Sequence, residues 1–386
     1  MSENVLTDLE KARYARHLIL PQVGESGQNK IKSSSVLVIG AGGLGSPVLM
    51  YLAAAGIGSI GIIDDDRVDI TNLQRQIIHS TSSIGELKTL SAKRTIKKIN
   101  PEVNVDTYNT RLNIENAVEL IDKYDIIVDG SDNFATRYTI SDCCEILGKP
   151  WVFGSIHRFE GQVSVFNLNG SPNYRDLFEK APPPELAPNC AQAGVLGVLP
   201  GIIGCFQANE VLKIVLGLDG ILDSELLLVD TQTMNIRKLR YVANPNRNKI
   251  TELSEETISC ALGQVKKESL VASDVGKNMK EISPLKYLER LRDGWNPFFL
   301  DVRREAEEKI VSLPNTSLRI NHTEIPSRIK EIPNNRDIVI YCRSGSRSAM
   351  VANFLKTSGN YPMEIYNLSG GIHEWSSTVD PNIPKY

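Results

Sequence analysis

No CxxC pair occurs anywhere in the chain. A zinc cage built from paired thiolates therefore has no ligands to draw on, and zinc is not expected. The six cysteines, Cys143, Cys144, Cys190, Cys205, Cys260 and Cys342, must be read one at a time. Each is either a small buried hydrophobe or a reagent. The five histidines, His17, His79, His157, His322 and His373, show no metal-ligand spacing, and ordinary structural roles are expected for all of them. Long apolar runs are missing too. The longest, GVLGVLPGIIGCF at 194–206, is short for a membrane span and carries Gly and Pro. The opening MSENVLTDLEKARYARHLIL has no apolar leader, so a cytoplasmic protein without membrane association is expected, where disulfides are not the default. A formal net charge of -3 leaves no basic face to suggest nucleic acid as the partner.

What is present is ordinary for a soluble globular protein: 41% apolar and 23% charged residues over 386 positions, enough for two domains. VLVIG (36–40) reads as a buried strand, followed by a glycine turn, a helix SPVLMYLAAAGIG and a second strand SIGIIDDD. Strand, turn, helix, strand is the unit of a doubly wound sheet. The alternation continues with helices near 85–99, 113–123 and 134–147. Strands are expected near 104–109, 124–130, 151–156 and 162–167. A Pro-rich loop covers 181–189, a long apolar helix about 196–217, and a hairpin 225–241. Polar, mixed-charge sequence then suggests a linker over 246–281 between a first domain at 1–245 and a compact α/β domain at 282–386. The second contains the strands FFLDV and DIVIYC, with a helix after the latter.

Gly40-Ala41-Gly42-Gly43-Leu44-Gly45 lies between a strand and a helix. Glycines there let the backbone approach a phosphate, and the helix start offers free N–H groups to an anion. Asp64, at the end of the next strand, sits where a carboxylate can hold ribose hydroxyls. A nicotinamide dehydrogenase shares these features. It has no need of Arg75 in TNLQRQ, Lys88 in GELK and Asp132 in SDN, two cations and a carboxylate that suit ATP with Mg²⁺.

GAGGLGSP, DDDRVDITNLQRQ, GELKTLSA, INP, DGSDNFATRY, RFEGQ and NCAQAGVLG, in this order, resemble the MoeB/ThiF adenylyltransferases, which are similar to ubiquitin-activating enzymes. The likeness spans residues 8–242 and implies a Rossmann-like, doubly wound mixed sheet. It also implies ATP-dependent adenylation of the C-terminal Gly-Gly carboxylate of a ubiquitin-like sulfur carrier, such as those serving molybdopterin or thiamine synthesis. By this resemblance Gly43 lies against the nucleotide and Asp64 binds ribose. Arg75 and Lys88 contact phosphates, Asp132 holds Mg²⁺, and Asn72, Gln74 and Asn133 line the pocket. Arg16 matches an arginine supplied by the partner subunit, which implies a homodimer with each site completed in trans.

Two cysteines invite chemistry. Cys190 precedes the long helix, where the positive end of the dipole favours thiolate; the resemblance makes it a candidate acceptor of the activated carboxylate. Cys205, Cys143 and Cys144 read as core. Cys342 ends a strand, and CRSGSRS turns backbone N–H groups toward its sulfur while Arg343 and Arg347 add positive charge, favouring an anionic persulfide. FLDVR, YCRSGSRS and LSGGIHEW together resemble a rhodanese domain, which implies that Cys342 carries sulfane sulfur, loaded by a persulfide donor such as a cysteine desulfurase. Asp301 and Arg303 are expected to support the loop. Many MoeB/ThiF relatives hold zinc with two CxxC pairs; at the matching places stand Asn173 and Asp176, and then PNRNKI near 245–250. Packing or dimer contacts are expected to hold this region instead. Two rival functions stand beside adenylation with sulfur transfer. One is conjugation of a ubiquitin-like protein through Cys190, and the other is a nucleotide-binding sensor without turnover.

Overall fold

A computed structural model describes residues 6–180, 194–254, 280–358 and 361–385. Cys190 lies outside the described residues, and with it the acceptor role expected there. The chain forms two compact units, Met1–Lys266 and Lys267–Tyr386.

In the first unit, strands β1 (Ser35–Ile39), β2 (Ser59–Ile63), β3 (Asn104–Tyr108) and β4 (Ile126–Asp129) are apolar nearly throughout where they are central. That is the pattern of parallel strands covered on both faces. With β5 (Trp151–His157), β6 (Glu160–Phe166), β7 (Glu225–Asp230) and β8 (Asn235–Arg240) they make an eight-stranded mixed sheet in the order β3-β2-β1-β4-β5-β6-β7-β8. Pairing is parallel from β3 to β5 and antiparallel from β5 to β8. The chain leaves β1 in one direction for β2 and β3 and returns on its other side as β4. A crevice therefore opens beyond the ends of β1 and β4, the usual binding place in such sheets.

Helices α1 (Asp8–Arg13), α2 (Ala15–Leu18) and α3 (Gly24–Ser33) precede the sheet. α4 (Gly45–Ala55), α5 (Lys88–Ile99), α6 (Ala117–Asp122), α7 (Phe134–Leu147) and the short α8 (Tyr174–Leu177) are followed by the long α9 (Val198–Leu216). α6 starts later than its sequence pattern suggests, because Asn113 accepts the N–H groups of Glu115 and Asn116 and holds that stretch as a turn. At 19 residues α9 is long and apolar enough to cross a membrane. Here it packs against α4, β5 and β6, burying Leu199, Ile203 and Val211 together with Gln207 and Glu210.

The region where relatives carry zinc thiolates is closed by charge. Arg247 Nε donates to Asp176 Oδ1 at 2.8 Å, and its two terminal nitrogens donate to the Glu145 carboxylate at 2.9 and 3.0 Å. Asp176 also accepts the N–H groups of Asn173 and Asn244. Burial opposes the charge on Asp176, but Arg247 overrides it and holds the carboxyl below its ordinary range. The chain just beyond β8 is thus fastened by an ion-pair clasp, in addition to the packing of Tyr241 and Leu253 against the core beside α8.

The second unit has a five-stranded parallel sheet of β9 (Lys280–Ile282), β10 (Phe298–Asp301), β11 (Leu318–Arg319), β12 (Ile338–Tyr341) and β13 (Ile365–Leu368), ordered β11-β10-β12-β13-β9. Around it lie α10 (Pro284–Arg292), α11 (Glu305–Glu308), α12 (Ile325–Arg328), α13 (Ser346–Thr357) and α14 (Gly371–Thr378). The apolar residues of β10 and β12 fill cores on both faces of this sheet.

Candidate active sites

The first site is a cavity at the crevice between β1 and β4. Its floor is the glycine loop. Gly40 has φ +99°, and a Cβ there would stand 2.7 Å from the Gly130 carbonyl, while one on Gly45 would stand 1.9 Å from the Gly40 carbonyl. Only glycine lets these two turns approach each other and start α4 so abruptly. Asp64 follows β2. Its carboxylate accepts the N–H groups of Ala41 at 2.8 Å and Asp66 at 2.9 Å, which ties it to the loop. Burial pushes its pKa up from the ordinary carboxylate value, and Lys88 opposes that rise.

Lys88 opens α5 and is buried. Its Nζ lies 2.7 Å from Asp66 Oδ2 and 4.0 Å from Asp64 Oδ1. The stem of Arg75 lies beside Gly43, and its guanidinium donates to the Thr71 carbonyl at 3.1 Å. Asp132 and Asn133 occupy the opposite wall, both exposed; Asn133 caps α7 by accepting the Thr136 N–H. Gly43, Asp64, Arg75, Lys88, Asp132 and Asn133 thus line one cavity.

Two expected residues, Asn72 and Gln74, stand outside the cavity: Asn72 caps its own short turn by accepting the Asp69 N–H, and Gln74 is exposed. Arg16, expected to act in the site of a partner subunit, is exposed on α2. Two others do line it. Gln76 is 5% exposed, and its Oε1 is buried without a partner among the described residues. Arg137 is buried with Nε 3.4 Å from Asp129 Oδ2 and donates to the Ser131 carbonyl at 3.2 Å, bracing the loop that carries Asp132. Burial pushes Asp129 up, with Arg137 opposing. The last residue of NLQRQ is the only hint of Gln76 in the sequence; Arg137 looks like any helix arginine.

The second site is the turn from β12 into α13. The Cys342 sulfur accepts the Gly345 N–H at 3.2 Å and the Ser348 hydroxyl at 3.4 Å, and the residue is 1% exposed. The Arg347 guanidinium is bonded bidentately to Glu307 at 2.6 and 2.7 Å. Burial works against ionisation of Glu307, but Arg347 overrides it and holds the carboxyl down at about 2. Asp301 and Arg303 form a fully buried pair at 2.6 Å. Arg303 also donates to the carbonyls of Glu307 and Val311, so the pair braces the segment that follows β10.

A glycine loop, an adjoining carboxylate and a buried lysine at one switch point describe a nucleotide fold in general terms. Comparison with known proteins narrows it, because a family model described as the ThiF family matches residues 14–251. The chain belongs to the ThiF family. A rhodanese-like domain matches residues 284–378, which contain Cys342. Among relatives of this ThiF-family chain is the probable adenylyltransferase/sulfurtransferase MoeZ of Mycobacterium tuberculosis, 40% identical over 99% of this chain and 97% of that protein. Another is the adenylyltransferase and sulfurtransferase MOCS3 of Arabidopsis thaliana, 39% identical over 97% of this chain and 85% of that protein. The probable molybdopterin-synthase adenylyltransferase of Porphyra purpurea is 40% identical over 96% of this chain and 94% of that protein. Among solved structures, E. coli MccB with ATP superposes with a TM-score of 0.55 at 22% identity, over 62% of this chain and 74% of that one. At that identity the likeness concerns the fold.

Proposed function

We propose that the first unit binds ATP and adenylates the C-terminal carboxylate of a ubiquitin-like sulfur carrier ending in Gly-Gly, and that Cys342 then supplies sulfur as a persulfide. The observation that carries this reading is the gathering of Arg75, Lys88, Asp64 and Asp132 around the glycine loop, in a chain whose full-length relatives are named for both activities. A carrier carboxylate oxygen bonds to the α-phosphorus, the bond to the bridging oxygen of pyrophosphate breaks, and an acyl-adenylate remains. No protein nucleophile is required for that step; Lys88 and Arg75 stabilise the charge moving onto pyrophosphate. The Asp132 carboxylate has no hydrogen bond or ion pair among the described residues and suits Mg²⁺, which when bound neutralises phosphate charge.

In the second step the terminal sulfur of a Cys342 persulfide attacks the acyl carbon and AMP leaves. An external thiol then splits the resulting acyl disulfide, releasing the thiocarboxylate and leaving a mixed disulfide on Cys342. A cysteine desulfurase type of donor loads the persulfide. Arg16, exposed on α2 beside exposed Ile19 and Leu20, completes the cavity of a second copy in a symmetric dimer. The test is ATP–pyrophosphate exchange dependent on a small Gly-Gly-ended carrier. Asp132→Ala is expected to lose exchange. Cys342→Ala is expected to retain exchange while forming no thiocarboxylate from a persulfide donor. Thiocarboxylate formed at the wild-type rate by Cys342→Ala sinks the sulfur half.

A further inference from the structure

His79 was assigned no function by its spacing, yet it sits between two parts of the first site. Its Nε2 lies 2.9 Å from the Ala41 carbonyl and its Nδ1 2.9 Å from the Ser91 hydroxyl. A carbonyl oxygen only accepts, so Nε2 carries the proton and Nδ1 accepts from Ser91. The residue is 7% exposed. Burial lowers its pKa, and Lys88 lowers it further, against the backbone bond to Ala41 and the charge of Glu86. The imidazole is therefore neutral, in one tautomer, with both nitrogens engaged.

These bonds close a ring. The Ala41 N–H donates to Asp64, and the Ala41 carbonyl accepts from His79. His79 accepts from Ser91, which stands one turn beyond Lys88 on α5, and Lys88 reaches back toward Asp64 and Asp66. Ala41 is thus held through both of the peptide units that flank its Cα, by its N–H on Asp64 and by its carbonyl on His79. The glycine loop and Lys88, which line the same cavity, are therefore linked by one run of hydrogen bonds and ion pairs. We propose that His79 is a positioning residue for adenylation, fixing the glycine loop and the first turn of α5 in register with each other; this rests on the adenylyltransferase reading above.

Two near-isosteric variants separate its bonds. His79→Gln retains an amide N–H toward Ala41. His79→Asn retains an acceptor toward Ser91 but withdraws from Ala41. ATP–pyrophosphate exchange is measured on the full chain, with kcat and the ATP KM resolved, using the Gly-Gly-ended small subunit of molybdopterin synthase as carrier. His79→Gln is expected within about threefold of wild type, and His79→Asn about 10- to 100-fold slower, as follows from a misplacement of about 1 Å. The thermal midpoints of the two variants should agree. Ser91→Ala, which leaves the fold's packing nearly intact, should lose exchange severalfold. Wild-type exchange in both His79→Asn and Ser91→Ala overturns the proposal, as does His79→Gln no faster than His79→Asn. Histidine-selective ¹⁵N NMR reads the geometry without turnover: the neutral Nε2–H form is expected, and an Nδ1–H form contradicts the ring. A wild-type chain that exchanges with no carrier sinks the adenylyltransferase reading and this proposal with it, whereas an active wild type with indifferent variants sinks this proposal alone.

Discussion

Replacing Arg247 by Met should destabilise the first unit far more than an ordinary surface substitution. The guanidinium serves Glu145 and Asp176, whose side chains are 8% and 3% exposed, and is itself 14% exposed. Removing it leaves two buried carboxylates facing each other without a counter-charge. Breaking a buried pair in this way costs about 3–5 kcal/mol. For a unit of this size that corresponds to a fall of roughly 6–20 °C in thermal midpoint. The cost lies in the stranded charges rather than in the lost bonds. The triple variant Arg247→Met, Glu145→Gln, Asp176→Asn should therefore recover more than half of it. Calorimetry of the full chain supplies the midpoint, and hydrogen exchange locates the loss in α7, α8 and the segment after β8. A single variant within about 1 °C of wild type, or a triple variant no better than the single, refutes the reasoning.

Other outcomes follow from the two sites. Lys88→Met should abolish ATP–pyrophosphate exchange while leaving thiosulfate-to-cyanide sulfur transfer unchanged, and Cys342→Ser should do the reverse; a variant that loses both activities contradicts the division of labour. Excess EDTA should stop exchange until Mg²⁺ is restored, without moving the thermal midpoint, which calorimetry checks. Glu307 titrates at about 2 in the folded chain against 4.5 ordinarily. A depressed carboxyl stabilises the fold above its unfolded pKa, and that contribution fades as pH falls from about 4.5 toward 2. After allowance for partial exposure the effect is about 1–2 kcal/mol. Unfolding curves across that window should show it, and Glu307→Gln should flatten the slope.

The parts of the fold that were legible share one property: their determinants are adjacent in sequence. Strand, glycine loop and helix over 36–55 are written consecutively, and Asp64, Arg75 and Lys88 follow within motifs whose place on the cavity wall was implied by the family resemblance. Cys342 was found the same way, from a strand end and a turn. The ring around His79 was not, because it joins Ala41 to a histidine 38 positions away. Arg247 finds Glu145 over 102 positions and Asp176 over 71, and nothing local distinguishes it from a linker arginine. Arg347 shows a different failure. Its charge was legible, but its partner Glu307, 40 positions away, was not.

The burial of Cys342 has a kinetic consequence. Its sulfur is enclosed by the turn that donates to it, so an alkylating agent, a peroxide or an external thiol reaches it only when that turn opens. A persulfide on Cys342 would set an outer sulfur about 2.05 Å beyond the inner one. Under the proposed sulfur transfer, splitting an acyl disulfide on Cys342 is then paced by how often the turn opens.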